Sequence, residues 1–109
     1  MITYSTNQFG LRGKDMEFMQ HLFSEIPETE KVILYGSRAT GSFEKGSDVD
    51  LAVAGKNVTQ KQIAHLHFAL ENESPALLHF DVLHLDTLLN KKLKQQIEEN
   101  GVVIYEKGN

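Results

Sequence analysis

A chain of 109 residues with a formal net charge of -4, 40% hydrophobic and 24% charged residues, has the size and balance of one domain with its own core. The absence of cysteine excludes disulfides and thiolate metal sites, so any metal would be held by oxygen or imidazole ligands. The acidic balance argues against direct nucleic-acid binding, which draws on surplus Lys and Arg. No apolar run approaches the ~20 residues that span a bilayer. The start Met1-Ile2-Thr3-Tyr4 also lacks a basic leader, so the expectation is one cytoplasmic domain over 1–109 with no membrane association.

In chain order, Met16, Met19, Leu22, Phe23 and Ile26 recur at helical spacing before Pro27, which predicts a helix over Lys14 to Ile26. Val32 to Tyr35 is a short apolar run closed by Gly36, and Val49 to Ala54 is a second, bounded by Gly46-Ser47 and Gly55-Lys56-Asn57. Both predict strands. Thr59 with Gln62 has the form of a capping box, opening a helix with Ile63, Leu66 and Leu70 on one face before Pro75. A third strand is expected over Leu78 to Leu85. After it Asp86 is placed to cap a helix carrying Leu89, Leu93 and Ile97, closed by Gly101, and Val102 to Tyr105 supplies a last short strand. This order predicts an α/β domain: a small mixed sheet covered by helices.

The chemistry concentrates between the first two strands. Asp48 and Asp50 stand at the head of the apolar strand that continues through Leu51 and Val53. Side chains alternate along a strand, so both carboxylates take one face with α-carbons about 6.5 Å apart. That separation lets them converge on one divalent cation or bridge two. Without a cation, two charges that close repel by roughly 1–4 kcal/mol. Upstream, Gly36 permits close backbone approach, and Ser37 opens a strand-to-helix corner whose free N–H groups and dipole favour an anion. Arg38 and Lys45 add positive charge nearby. Asp81 lies between Phe80 and Val82 in the third strand, where a charge needs a partner or a metal. If that strand pairs beside the one carrying Asp50, three carboxylates meet, and one of them becomes a base for an attacking hydroxyl.

Gly36-Ser37, followed after ten intervening residues by Asp48-Val49-Asp50 and then by a downstream strand aspartate, resembles the signature of the DNA polymerase beta-like nucleotidyltransferase superfamily. The short chain resembles its minimal nucleotidyltransferases (MNT), antitoxins paired with a HEPN-domain ribonuclease toxin. The resemblance runs from the first helix through Asp81, with Tyr35 where the family often has Phe. It implies the polymerase beta-like fold, with Asp48, Asp50 and Asp81 as catalytic residues and ligands of magnesium, two ions. It also implies Gly36 and Ser37 as the triphosphate-binding pair, to which Arg38 and Ser47 are added as nucleotide-binding candidates. The implied activity is transfer of AMP from ATP to a tyrosine hydroxyl of the HEPN partner (AMPylation), in a complex of the two proteins.

Two rival readings remain open: an antitoxin that neutralises by contact alone, and an enzyme modifying a small hydroxyl compound. Arg38 is equally consistent with a surface pair to Glu44 and with a phosphate contact. Among the histidines, His65 and His67 do not share a helical face, and His79 and His84 face oppositely on a strand, so no imidazole metal site is expected. Lys91, Lys92 and Lys94 read as a solvated helix face.

Overall fold

The computed structural model describes residues 6–108, so the start of the chain, considered above for a leader, lies outside it. The first helix, α1, spans Gly13–Ser24. It opens on a cap in which the Arg12 N–H and its guanidinium all donate to the carboxylate of Asp15, at 2.9 to 3.0 Å. The last residues of the expected span close as a tighter turn, with Glu25 N donating to Leu22 O and Ile26 N to Phe23 O. Strand β1, Lys31–Tyr35, follows, then a single helical turn α2, Ser37–Thr40, and strand β2, Val49–Ala54. Helix α3, Gln60–Glu73, begins at the expected capping box: Gln62 N donates to Thr59 Oγ1 at 3.1 Å, and Thr59 N to Gln62 Oε1 at 2.9 Å. Strand β3 covers Phe80–His84, the centre of the expected segment, and β4 covers Val102–Glu106.

One expected cap is corrected. Helix α4, Lys91–Asn100, is capped by Asn90, whose Oδ1 accepts from Leu93 N at 3.0 Å. Asp86 lies in a 3₁₀ turn, Leu85–Thr87, and its carboxylate accepts the N–H of Gly55 at 2.9 Å. With its oxygen committed across the sheet, Asp86 does not start the helix, and Leu89 is left 93% exposed.

The four strands form a mixed sheet in the order β3-β2-β1-β4, with β1 antiparallel to both β2 and β4 and β2 parallel to β3. Parallel β2 and β3 are joined through α3, since parallel neighbours need a crossover. Alternation along each strand then builds two apolar layers. Val32, Leu34, Val49, Leu51, Val53 and Phe80 pack with α1 and α3. Ile33, Ala52 and Ala54 pack with Leu85 and with Ile97 of α4. On the first layer Phe23 is fully buried and meets Tyr105 edge-on, with ring centroids 5.7 Å apart. Truncating so large a core side chain to Ala costs about 3–5 kcal/mol. The second layer is smaller, and at the end of the sheet where β1 stops and β2 and β3 begin, its place is taken by polar side chains.

Candidate active site

Register brings the acidic residues together. Tyr35 lies opposite Asp50 across the antiparallel pair, and Asp50 lies beside Asp81 across the parallel pair. The three belong to the face that continues through Ile33, Ala52 and Leu83. Asp48 stands immediately before β2, two residues from Asp50, and is exposed, as is Asp81. Asp50 is half-buried between them. Burial is the main cause that pushes its pKa up to about 6. The Asp81 charge, a hydrogen bond with the Asp81 carboxyl and the charge of Asp48 push the same way. Burial first, then Asp50 and Asp81, raises the Tyr35 phenol to about 12, which keeps it protonated beside the carboxylates.

Gly36 is shaped by Asp50 as much as by any ligand. Its φ of 76° lies in the left-handed region, and a Cβ built there would collide with Asp50 Oδ2. Only glycine therefore lets the turn pass over the carboxylate. The turn leads into α2, where Ala39 N and Thr40 N already donate to Gly36 O. The N–H groups of Ser37 and Arg38, at the first positions of the turn, have no acceptor within the helix. A cavity of about 310 Å³ opens beside this corner, between Tyr35, Gly36 and Thr40 on one side and Leu93, Gln96 and Ile97 of α4 on the other.

Arg38 and Ser47, the other nucleotide-binding candidates, are placed differently from the Gly36-Ser37 corner. Arg38 is only 3% exposed, so neither a surface pair with Glu44 nor an outward phosphate contact describes it. Its Nε and Nη2 donate to Ser47 O at 3.0 and 2.8 Å, its Nη1 donates to Phe9 O at 2.9 Å, and its guanidinium lies over the Phe43 ring. Ser47 turns its hydroxyl into its own loop, accepting from Glu44 N at 2.9 Å. Of the histidines, His79 is exposed beside Glu71, and buried His84 approaches Gly55 O at 2.8 Å with Nε2.

The donor set fits a hard divalent cation, being carboxylate oxygen alone. As the side chains stand, no three acidic or imidazole groups among the described residues are already gathered closely enough to hold an ion. The Asp50 and Asp81 carboxyls are within hydrogen-bond reach of each other, while Asp48 stands exposed just before β2.

Residues 17–109 match the family described as Polymerase beta, Nucleotidyltransferase. The chain belongs to this nucleotidyltransferase family. No curated protein matches it by sequence. Among solved structures it resembles a toxin-antitoxin complex with AMP-PNP, at 23% identity and a TM-score of 0.68, over 86% of this chain and 73% of the other. It also resembles a tri-AMPylated Shewanella oneidensis HEPN toxin in complex with MNT antitoxin, at 21% identity and a TM-score of 0.64, over 84% and 70% of the two chains. The MntA-HepT toxin-antitoxin structure is similar at 21% identity and a TM-score of 0.63, with the same coverage. At such identities the likeness establishes the fold, which is the one the family resemblance implied.

Tyr35 and the inward turn of Arg38 escape a linear reading. Tyr35 is set beside Asp50 by the antiparallel register, and an arginine next to Ser37 carries no local sign that it points into the protein.

Proposed function

We propose that this nucleotidyltransferase moves AMP from ATP to a hydroxyl, most simply a tyrosine, of a HEPN-domain partner protein, and so neutralises it in the cytoplasm. The observation that carries this reading is the alignment of Asp50 and Asp81 across adjacent parallel strands, with Asp48 alongside and the Gly36-Ser37 corner passing over Asp50. The solved relatives support the choice of nucleotide and acceptor, since one complex contains AMP-PNP and another an AMPylated HEPN toxin.

In this reading Asp48, Asp50 and Asp81 hold magnesium, two ions, which when bound neutralises phosphate charge and polarises the α-phosphorus. Ser37 and the open N–H groups of α2 grip the terminal phosphates. Asp50 must be ionised to serve, a form that a bound cation would favour. Asp81, exposed at the start of β3, accepts the proton of the incoming hydroxyl. The new bond joins that oxygen to the α-phosphorus, the bond to the bridging oxygen breaks, and pyrophosphate leaves. Placing the hydroxyl ~3–3.5 Å from the phosphorus requires a second surface over the open acidic end, which the partner protein provides.

The test is incubation of the pure protein with labelled ATP, magnesium and its co-encoded HEPN neighbour, followed by mass spectrometry. The expected result is one or more AMP units on a tyrosine of the neighbour, absent with Asp48→Asn. Complete neutralisation of the neighbour with no modification would instead establish an antitoxin that works by contact.

A further inference from the structure

Asp48 is exposed at the end of a loop containing Gly41 and Gly46, both at positive φ, yet its backbone is held on each side. After it, Val49 N donates to His79 O at 2.9 Å. Before it, the carbonyl of Ser47, which belongs to the same peptide plane as the Asp48 N–H, receives two N–H groups of Arg38. We propose that Arg38 is a positioning residue for the acidic site, fixing Asp48 relative to the Gly36-Ser37 corner and to the Phe9–Gly10 segment. The proposal rests on the assignment of Asp48 to the reaction.

Three features carry it. Arg38 is the second residue of α2, so its backbone moves with the phosphate corner while its side chain grips the far end of the loop. The fork of the guanidinium serves two directions at once, with Nε and Nη2 to Ser47 O and Nη1 to Phe9 O and, at 3.4 Å, to Gly10 O. An ammonium has no such fixed geometry. The opposite side is closed by Phe43, whose ring lies 5.0 Å from the guanidinium carbon. Packing there is tight: at Gly10, φ 73°, an added Cβ would strike both the Phe43 ring and Arg38 Nη1. Phe9 and Gly10 precede residue 17, where the family match begins, so one side of this clamp is built from residues outside that match.

Two variants test the clamp from opposite sides, Arg38→Gln and Gly10→Ala, each first shown to be folded by circular dichroism. Exposed Lys45 within the loop provides a trypsin site. Loss of hydrogen bonds from a charged donor is expected to speed cleavage after Lys45 by roughly ten- to a hundredfold. Cleavage after Lys61 and Lys92, on exposed helix faces, should be unchanged. Transfer should show kcat lowered by roughly ten- to a hundredfold with KM for ATP nearly constant, because a displaced Asp48 impairs the chemical step. Arg38→Lys should restore folding stability but not the trypsin resistance of the loop. A raised KM with unchanged cleavage at Lys45 would make Arg38 a phosphate ligand and overturn the proposal, as would uniform loss of stability without selective loop opening. If Arg38→Gln does not fold, Gly10→Ala decides. If the wild type transfers nothing, the functional assignment fails by itself while proteolysis still reports on the clamp.

Discussion

Asp15 and Asp50 are both aspartates withdrawn from water at the edge of the apolar core, and their surroundings drive them in opposite directions. Burial raises the pKa of each. At Asp15 that effect is outweighed by hydrogen bonds from the Arg12 side chain and backbone and by the Arg12 charge, so its carboxyl is held below the ordinary range. At Asp50 the neighbours are Asp81 and Asp48, and the shift is upward, to about 6. The α1 cap is an acid satisfied by its own fold. The acidic end of the sheet sets a half-buried carboxyl beside two other acids, and a residue kept at that expense is a candidate for chemistry.

The comparison breaks most visibly in activity. Asp50→Asn and Asp48→Asn should each lower nucleotidyl transfer on the order of 10²–10³-fold while circular dichroism stays unchanged, since the proposed mechanism loses a metal-holding carboxylate but the protein loses no volume. Asp15→Asn should leave transfer by the remaining folded protein intact. A fully active Asp48→Asn/Asp50→Asn double mutant would remove the catalytic assignment.

Stability sharpens the contrast. Asp15→Asn breaks a buried, charge-assisted cap and should destabilise the protein by ~1–3 kcal/mol, at roughly 4–8 °C of melting temperature per kcal/mol for a domain of this size. In chelator, Asp50→Asn should act in the other direction, by ~1 kcal/mol at most, because exposed Asp81 and Asp48 leave part of the repulsion screened by water. Magnesium with a non-hydrolysable triphosphate should then raise the melting temperature of the wild type and not of the mutant. Melting curves in chelator that place Asp50→Asn below wild type would mean that Asp50 is a structural acceptor like Asp15.

The smallest effect is in pH dependence. A raised folded pKa means that the folded state binds the proton more tightly, so the Asp50 contribution is fully present below the unfolded value of 3.8 and is lost as pH rises through about 6. A lowered folded pKa means the reverse: the Asp15 contribution is present above 3.8 and is lost as pH falls through its folded value. Urea titrations of the metal-free protein should therefore show stability rising as pH falls from above 6 toward 4, and falling below that. Asp50→Asn should flatten the upper limb and Asp15→Asn the lower one.

Features whose physics is local were legible along the chain. The Thr59–Gln62 box and the apolar period of α1 depend on residues within four positions of one another, and each is found as the sequence implied. Asp81 was legible as an anomaly, a charge among apolar strand neighbours, but its partner was not. That depends on β3 lying parallel to β2 with Asp81 beside Asp50, a pairing created by the α3 crossover. Asp86 shows the opposite failure: it has the composition of a cap, and a Gly55 N–H from the other end of β2 claims it instead.

The sequence by itself therefore determined the element order, the acidic pair and the glycine-serine corner, because backbone period and capping act over one or two turns. Only the tertiary structure decided that Arg38 faces inward to Ser47 and Phe9, that Tyr35 borders Asp50, and that Gly36 must lack a Cβ because Asp50 Oδ2 occupies its place. Each of these depends on a contact between segments distant in the chain, where the preference of a side chain is set by which carbonyl, ring or carboxylate the packing brings within reach.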